Sequence, residues 1–247
     1  MDKALYLSMT GAKSALAAQS TNANNLANAS TSGFKADIER FQSMPVYGPG
    51  HASRVYSLDD QVGYNHDSGA IMQTGQATDL ALQGEGWFAV SAADGTEAYS
   101  RRGDLRVDAG GLLTNGVGEP VLGNSGPITL PPHEELVFGQ DGSVTIRALG
   151  APEGQYALVD QLKLVSTPAT GMVKGKDGLF RGVDGQELAA SNQMKVHQGA
   201  LEASNVNSIE SMVNMIEYSR SFESMVKFFD ELEKIDSAST RLMSVSG

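Results

Sequence analysis

The stretch NSIESMVNMIEYSRSFESMVKFFDEL, residues 207–232, decides the fold. Asn207, with Glu210 three residues on, forms a capping box ahead of an apolar run. Ile209, Val213 and Ile216 follow a four-three rhythm, and Tyr218, Phe222, Met225, Phe229 and Leu232 take it up in a second register. Such spacing predicts a long helix with a coiled-coil seam, and the change of phase near 216–218 reads as a stutter. Arg220, Glu223, Lys227, Glu231 and Lys234 lie off the second seam, at spacings that predict exposed ion pairs one turn apart.

The other end of the chain repeats the pattern. Leu5, Met9, Ala12, Leu16, Ala23 and Leu26 alternate steps of four and three, with Gln19 as the one polar member, and Asp2 suits a helix cap. This seam is rich in Ala, and Gly11, Thr21, Asn22, Asn24, Asn25 and Asn28 are weak helix formers. Small seam residues let backbones approach closely, which helps only when a partner is present. The pair of helices is therefore expected to fluctuate in the free subunit and to fold on assembly. Past Asn28, Ser30 and Ser32 favour a helix end, and Gly33 suits the left-handed turn that follows.

The middle of the chain reads differently. Asp94-Gly95, Asn115-Gly116, Asp141-Gly142, Asp177-Gly178 and Asp184-Gly185 are turn signals. They separate short apolar runs at 80–83, 87–91, 98–101, 105–107, 144–147 and 162–165. Short strands at this spacing predict an antiparallel, partly barrel-like β domain. The fold class is thus α+β. Residues 1–34 and 201–247 make a terminal helical assembly module with coiled-coil-like pairing, 35–75 an extended connector, and 76–200 the inserted β domain.

Composition narrows the function. A net charge of −11 over 247 residues disfavours nucleic acid and anionic membrane as main partners. The chain has no Cys, which removes disulfides, thiolate metal sites and thiol nucleophiles together. No stretch approaches the ~18 apolar residues of a membrane span. The first residues lack the basic and apolar regions of a cleavable secretory signal, so export by another route is expected.

The sequence offers no catalytic anchor. Residues 84–89 match a loose G-x-G-x-x-A, but a strand follows where a dinucleotide site needs a helix. Residues 171–176 fall one short of a phosphate loop and read as a plain loop. His51, Asp59, Asp60, His66 and Asp67 have no fixed spacing and read as a solvated acidic loop, not a metal site. Adjacent Glu134 and Glu135 would point to opposite faces of a strand. No catalytic, cofactor or metal residue is assigned, and no small-molecule substrate is implied.

Two blocks at opposite ends carry a resemblance. Residues 23–35, with Asn25, Leu26, Ala27, Asn28, Gly33 and Phe34, and residues 201–210, with Ser204, Asn205, Val206 and Asn207, closely resemble signatures of the bacterial flagellar axial proteins, the rod and hook subunits. Residues 79–90, 99–103 and 112–116 are similar to that family's strand-turn-strand segments. Within the family the proximal-rod type is nearest, and a distal-rod or hook type is the alternative.

The resemblance implies a non-enzymatic subunit of the basal-body rod in the periplasm, exported through the flagellar type III apparatus. It implies assembly with other rod proteins and with copies of itself. On this reading the assembly seam is Leu5, Met9, Leu16, Leu26, Ile209, Val213, Ile216, Phe222, Met225 and Phe229. A periplasmic glycan hydrolase using acidic residues of the β domain is the enzyme alternative.

Overall fold

The computed structural model describes residues 3–45, 55–59, 63–168, 171–183, 185–191 and 193–245. Asp2, His51, Asp60 and Asp184 lie outside the described residues, as do the side chains of Leu5 and Asp59. The chain divides into a helical unit, Met1–Ala29, Ala36–Asn65 and Val206–Gly247, and a β unit, Ser30–Lys35 and His66–Asn205.

The helical unit holds α1, Lys3–Ala27, and α2, Ser208–Val245. Asn207 caps α2, its Oδ1 accepting the amides of Ile209 and Glu210 at 3.1 and 3.3 Å. The helices pack antiparallel. Gly11 faces Met225, whose Sδ and Cε lie 3.3 Å from where a Gly11 Cβ would sit, while Asn22 Nδ2 donates to the Ser211 carbonyl at 2.6 Å.

The covered face of α1 is not the expected one. Ser8, Ala15, Ala18, Asn22 and Asn25 are buried and Gly11 half-buried, a four-three series one position before the apolar series read from sequence. Small residues turn inward because α2 supplies the bulk: Tyr218, Phe222, Met225, Phe229 and Leu232 are half-buried. The series 211, 215, 218, 222, 225, 229, 232 on α2 keeps its phase without interruption, so there is no stutter. Ile209, Val213 and Ile216 belong to a different face of one continuous helix.

The expected surface ion pairs on α2 are also absent. Among the described residues, Arg220, Glu223, Lys227, Glu231 and Lys234 make none, in keeping with the small gain of a solvated pair against the entropy of two long side chains.

Residues 36–65 add short strands to the helical unit. Phe41–Pro45 pairs with Val55–Asp59, and Asp37–Ile38 with Gly63–Tyr64. Asn25 docks this segment by imitating a strand backbone: its Nδ2 donates to the Asp37 carbonyl, and its Oδ1 accepts the Asp37 amide, both at 2.8 Å.

The β unit is antiparallel throughout its described strand pairs. A five-stranded sheet runs in the order Leu164–Ser166, Gly86–Ser91, Glu97–Ser100, Phe180–Gly182, Met172–Lys174, and its end strands do not pair with each other. The sheet is open. A second sheet of His133–Phe138, Ser143–Ala148 and Ala157–Gln161 and several two-stranded ribbons complete the unit around Leu80, Phe88, Val90, Leu113, Val144 and Leu164.

Three Asp-Gly turns share one construction. Oδ1 of Asp94, Asp141 and Asp177 accepts the amide two residues on, and Gly95, Gly142 and Gly178 take φ of 81, 83 and 81°. Two local readings need correction. Residues 172–174, expected in a loop, form a strand beside 180–182. Glu134 and Glu135 do not diverge: a register shift between His133 and Glu135 lets both approach Arg147, each at 3.4 Å.

Candidate functional site

Each unit carries one feature that ordinary packing leaves unexplained. In the helical unit it is an uncovered apolar stripe. Met9 and Leu16 on α1 are each 54% exposed, and Ile209, Val213 and Ile216 on α2 are 75, 50 and 56% exposed. Tyr6 and Met212 lie exposed beside them. Large apolar side chains here turn outward in series while Ala and Ser turn inward.

The sequence-derived seam therefore splits in two. Phe222, Met225 and Phe229 are half-buried, as is Leu26, whereas Met9, Leu16, Ile209, Val213 and Ile216 face outward.

In the β unit the feature is a buried ionic network centred on Glu202. Its Oε1 accepts Lys35 Nζ at 2.9 Å and the Gly69 amide at 3.0 Å, and its Oε2 accepts Arg101 Nε at 2.5 Å. All three side chains are at least 96% buried. Arg101 uses its remaining donors on backbone: Nη1 donates to the Gly86 carbonyl, and Nη2 to those of Gly84 and Leu82 at 2.6 and 3.4 Å. Lys35 Nζ also donates to the Asp67 carbonyl at 2.8 Å.

One carboxylate thus balances two cations away from water. Burial lowers the Lys35 amine from its ordinary value, with Glu202 opposing. For Glu202 burial pushes upward, but the charge and hydrogen bond of Arg101 and those of Lys35 outweigh it, and its carboxyl ends lowered.

The network gathers the segments by which the chain enters and leaves the β unit. The chain changes unit after Ala29, Lys35, Asn65 and Asn205. The Gly33 amide donates to the Glu202 carbonyl at 2.7 Å, and the Asn205 amide to that of Phe34 at 3.2 Å. Asn205 Nδ2 reaches the Asp67 carbonyl at 2.9 Å, and Lys174 Nζ stands 4.2 Å above the Phe34 ring. Gly33, Lys35, Asp67 and Asn205, all close in sequence to a crossing, are thus linked by hydrogen bonds in the neighbourhood of Glu202.

Gly33 has φ +66°, and a Cβ there would fall on the Arg101 carbonyl. Gly33→Ala is expected to destabilise the β unit by at least about 1–3 kcal/mol, combining left-handed strain with the clash. Thermal unfolding of the purified variant checks this, and an unchanged midpoint refutes it.

The residues quoted for the family resemblance acquire local roles. Asn25 docks residues 37–38, Asn28 bonds back to Asn24, and Ala27 ends α1. Asn207 caps α2, while Ser204 and Val206 are half-buried. Sequence reasoning did not single out Lys35, Arg101 or Glu202. Among the described residues no group of three or more metal-binding side chains converges, and no helix is long and apolar enough to cross a membrane.

Three family models match segments of the chain. Residues 5–35 match the flagella basal body rod protein family, residues 81–146 the flagellar hook protein FlgE/F/G D1 domain, and residues 197–242 the flagellar basal body rod FlgEFG protein C-terminal domain. Each matched segment supplies one member of the ionic network: Lys35, Arg101 and Glu202 in turn. The chain belongs to the flagellar basal-body rod protein family.

It is similar over its whole length to the flagellar basal-body rod protein FlgF of Salmonella typhimurium and to that of Escherichia coli. Each is 36% identical over 252 residues, covering 100% of both chains. The FlgF of Caulobacter vibrioides is 32% identical over 253 residues with the same coverage.

Proposed function

We propose that this chain is a non-catalytic structural subunit of the proximal part of the flagellar rod, transmitting torque across the periplasm. Full-length likeness to FlgF proteins supports the proximal placement. The observation that carries the mechanical reading is the outward apolar stripe of Met9, Leu16, Ile209, Val213 and Ile216. A side chain that stays half in water in the subunit gains roughly 1 kcal/mol or more when a neighbour covers it. Repeated along two helices in every subunit, that gain drives assembly with copies of itself and with other rod proteins, and completes a coiled-coil-like packing.

The helical parts are the assembly module, and the β domain is inserted between them in sequence. Load passing along the chain between them runs through the crossings tied around Glu202, so the buried network is the mechanical root. Export through the flagellar type III apparatus brings the subunit to the rod. The subunit does not insert in a membrane.

The chain has no Cys of its own, so engineered cysteines report contacts cleanly. Met9→Cys and Val213→Cys, introduced singly or together, are expected to give inter-subunit disulfides in isolated basal bodies, while cysteines on the β unit at Leu149 do not. Equal crosslinking from both places, or none from the stripe, would overturn the reading.

A further inference from the structure

The helical unit contains a cavity of ≈ 190 Å³ whose lining includes Thr21, Asn22, Asn25, Glu39 and Tyr218. It is polar, and one of its charges is incompletely satisfied. Glu39 Oε1 accepts the Thr21 hydroxyl at 2.7 Å, but Oε2 is buried with no hydrogen-bond partner. A carboxylate oxygen taken from water without a donor is unfavourable, and a cation is what best satisfies it. Two exposed apolar side chains, Ile38 and Phe41, also line the cavity and would shield such a contact from solvent.

The same unit carries the complementary half. Arg220, Lys227 and Lys234 recur every seven residues on α2, are exposed, and make no ion pair among the described residues. Seven residues are two helical turns, about 10.5 Å, so the three cations recur along one face, with Glu223, Asp230 and Glu231 interleaved between them. Among the exposed basic side chains of the helical unit these three are the ones that recur at a fixed helical spacing.

We propose that the cavity receives a basic side chain from a second copy of this chain, its guanidinium or ammonium group pairing with Glu39, the donor being Arg220, Lys227 or Lys234. Donor and acceptor are then different patches of one molecule. That makes the contact heterologous, the kind that propagates into an open stack instead of closing a dimer. The ion pair fixes the register in which apolar stripes meet, which the stripes alone specify poorly. The inference rests on the assembly reading above and adds a partner and a contact to it.

Charge reversal tests it in the full-length chain, scored by the amount of subunit recovered in isolated basal bodies. Glu39→Lys is expected to lower incorporation about tenfold or more, and Glu39→Gln, which keeps the shape, by a smaller factor. Adding Arg220→Glu, Lys227→Glu or Lys234→Glu to Glu39→Lys in the same chain is expected to restore incorporation for one of the three, naming the donor.

Normal incorporation of Glu39→Lys, or restoration by none of the three, overturns the proposal. If Glu39→Lys loses its helical circular dichroism, Glu39→Gln decides alone: reduced incorporation supports the contact, and full incorporation overturns it. The underlying assembly reading has a separate test, Ile216→Asp. It stands if that variant is excluded from the rod even where the charge pairs fail.

Discussion

Ile216→Asp is expected to abolish incorporation into the rod while lowering the stability of the free subunit by only about 0.5 kcal/mol. Ile216 is 56% exposed, so in the isolated molecule the Asp carboxylate stays hydrated. The cost there is helix propensity, about 0.5 kcal/mol. Once a neighbour covers the position, a charge must be stripped of water with no partner supplied, which costs several kcal/mol at each contact. The penalty recurs in every subunit.

Phe222→Asp makes the informative contrast. Phe222 is half-buried on the face of α2 that also presents Met225 to Gly11, so the charge strikes the subunit's own helix pair. A loss of roughly 3–5 kcal/mol from that packing is expected, with the helical signal falling before any assembly is attempted. Circular dichroism of the two purified variants, set beside their recovery in basal bodies, separates the outward stripe from the inward one. Wild-type incorporation of Ile216→Asp would remove the stripe from the mechanism.

That contrast shows what was legible in the sequence and what was not. Periodicity announced both helices, and the Asp-Gly turns announced the strands, because each signal is local: a four-three repeat for the first, a left-handed Gly after a carboxylate for the second. Periodicity alone does not say which stripe faces inward when a helix carries two. In α1 the larger side chains, Met9 and Leu16, define the stronger apolar stripe, yet Gly11, Ala15 and Ala18 are the residues that admit α2. The two registers of α2 carry the same ambiguity, because two faces of one continuous helix imitate a stutter.

The ionic network was beyond local reading for a different reason. Lys35, Arg101 and Glu202 are brought together only by the tertiary fold, and no spacing rule connects them. A faint signal existed. Each lies in a segment quoted for family likeness, beside apolar or small neighbours such as Phe34, Leu201 and Ala203, where a solvated charge would be out of place. The divergence expected of Glu134 and Glu135 failed because a bulge, invisible in sequence, resets the alternation.

Glu202→Ala should have the largest effect on the β unit. Removing the carboxylate leaves Lys35 and Arg101 buried with like charges and no counter-ion, for which a loss of about 3–5 kcal/mol is expected. The single tryptophan, Trp87, reports it directly: it lines the same small recess as Lys35 and Arg101, and its ring centroid is 4.3 Å from that of Phe180. Urea unfolding followed by Trp87 fluorescence gives the difference.

The pH dependence discriminates further. The folded carboxyl of Glu202 is held below its ordinary value of 4.5, so its contribution is present above that value and is lost as pH falls through the folded one. Lys35 works at the alkaline end. Its amine is lowered from 10.5, so its buried charge is a cost at neutral pH that is relieved as pH rises through the folded value toward 10.5.

Parent and Glu202→Ala stabilities should therefore converge in acid, where the parent has lost the contribution the variant never had, and lie furthest apart near neutrality. A constant gap down to the lowest pH, or a neutral-pH loss under about 0.5 kcal/mol, would mean that Glu202 does not hold the crossings together. Because those crossings are the only covalent route from the β unit to the helices, a subunit weakened there should still enter the rod through its stripe. It should then fail under load, leaving basal bodies assembled and cells poorly motile.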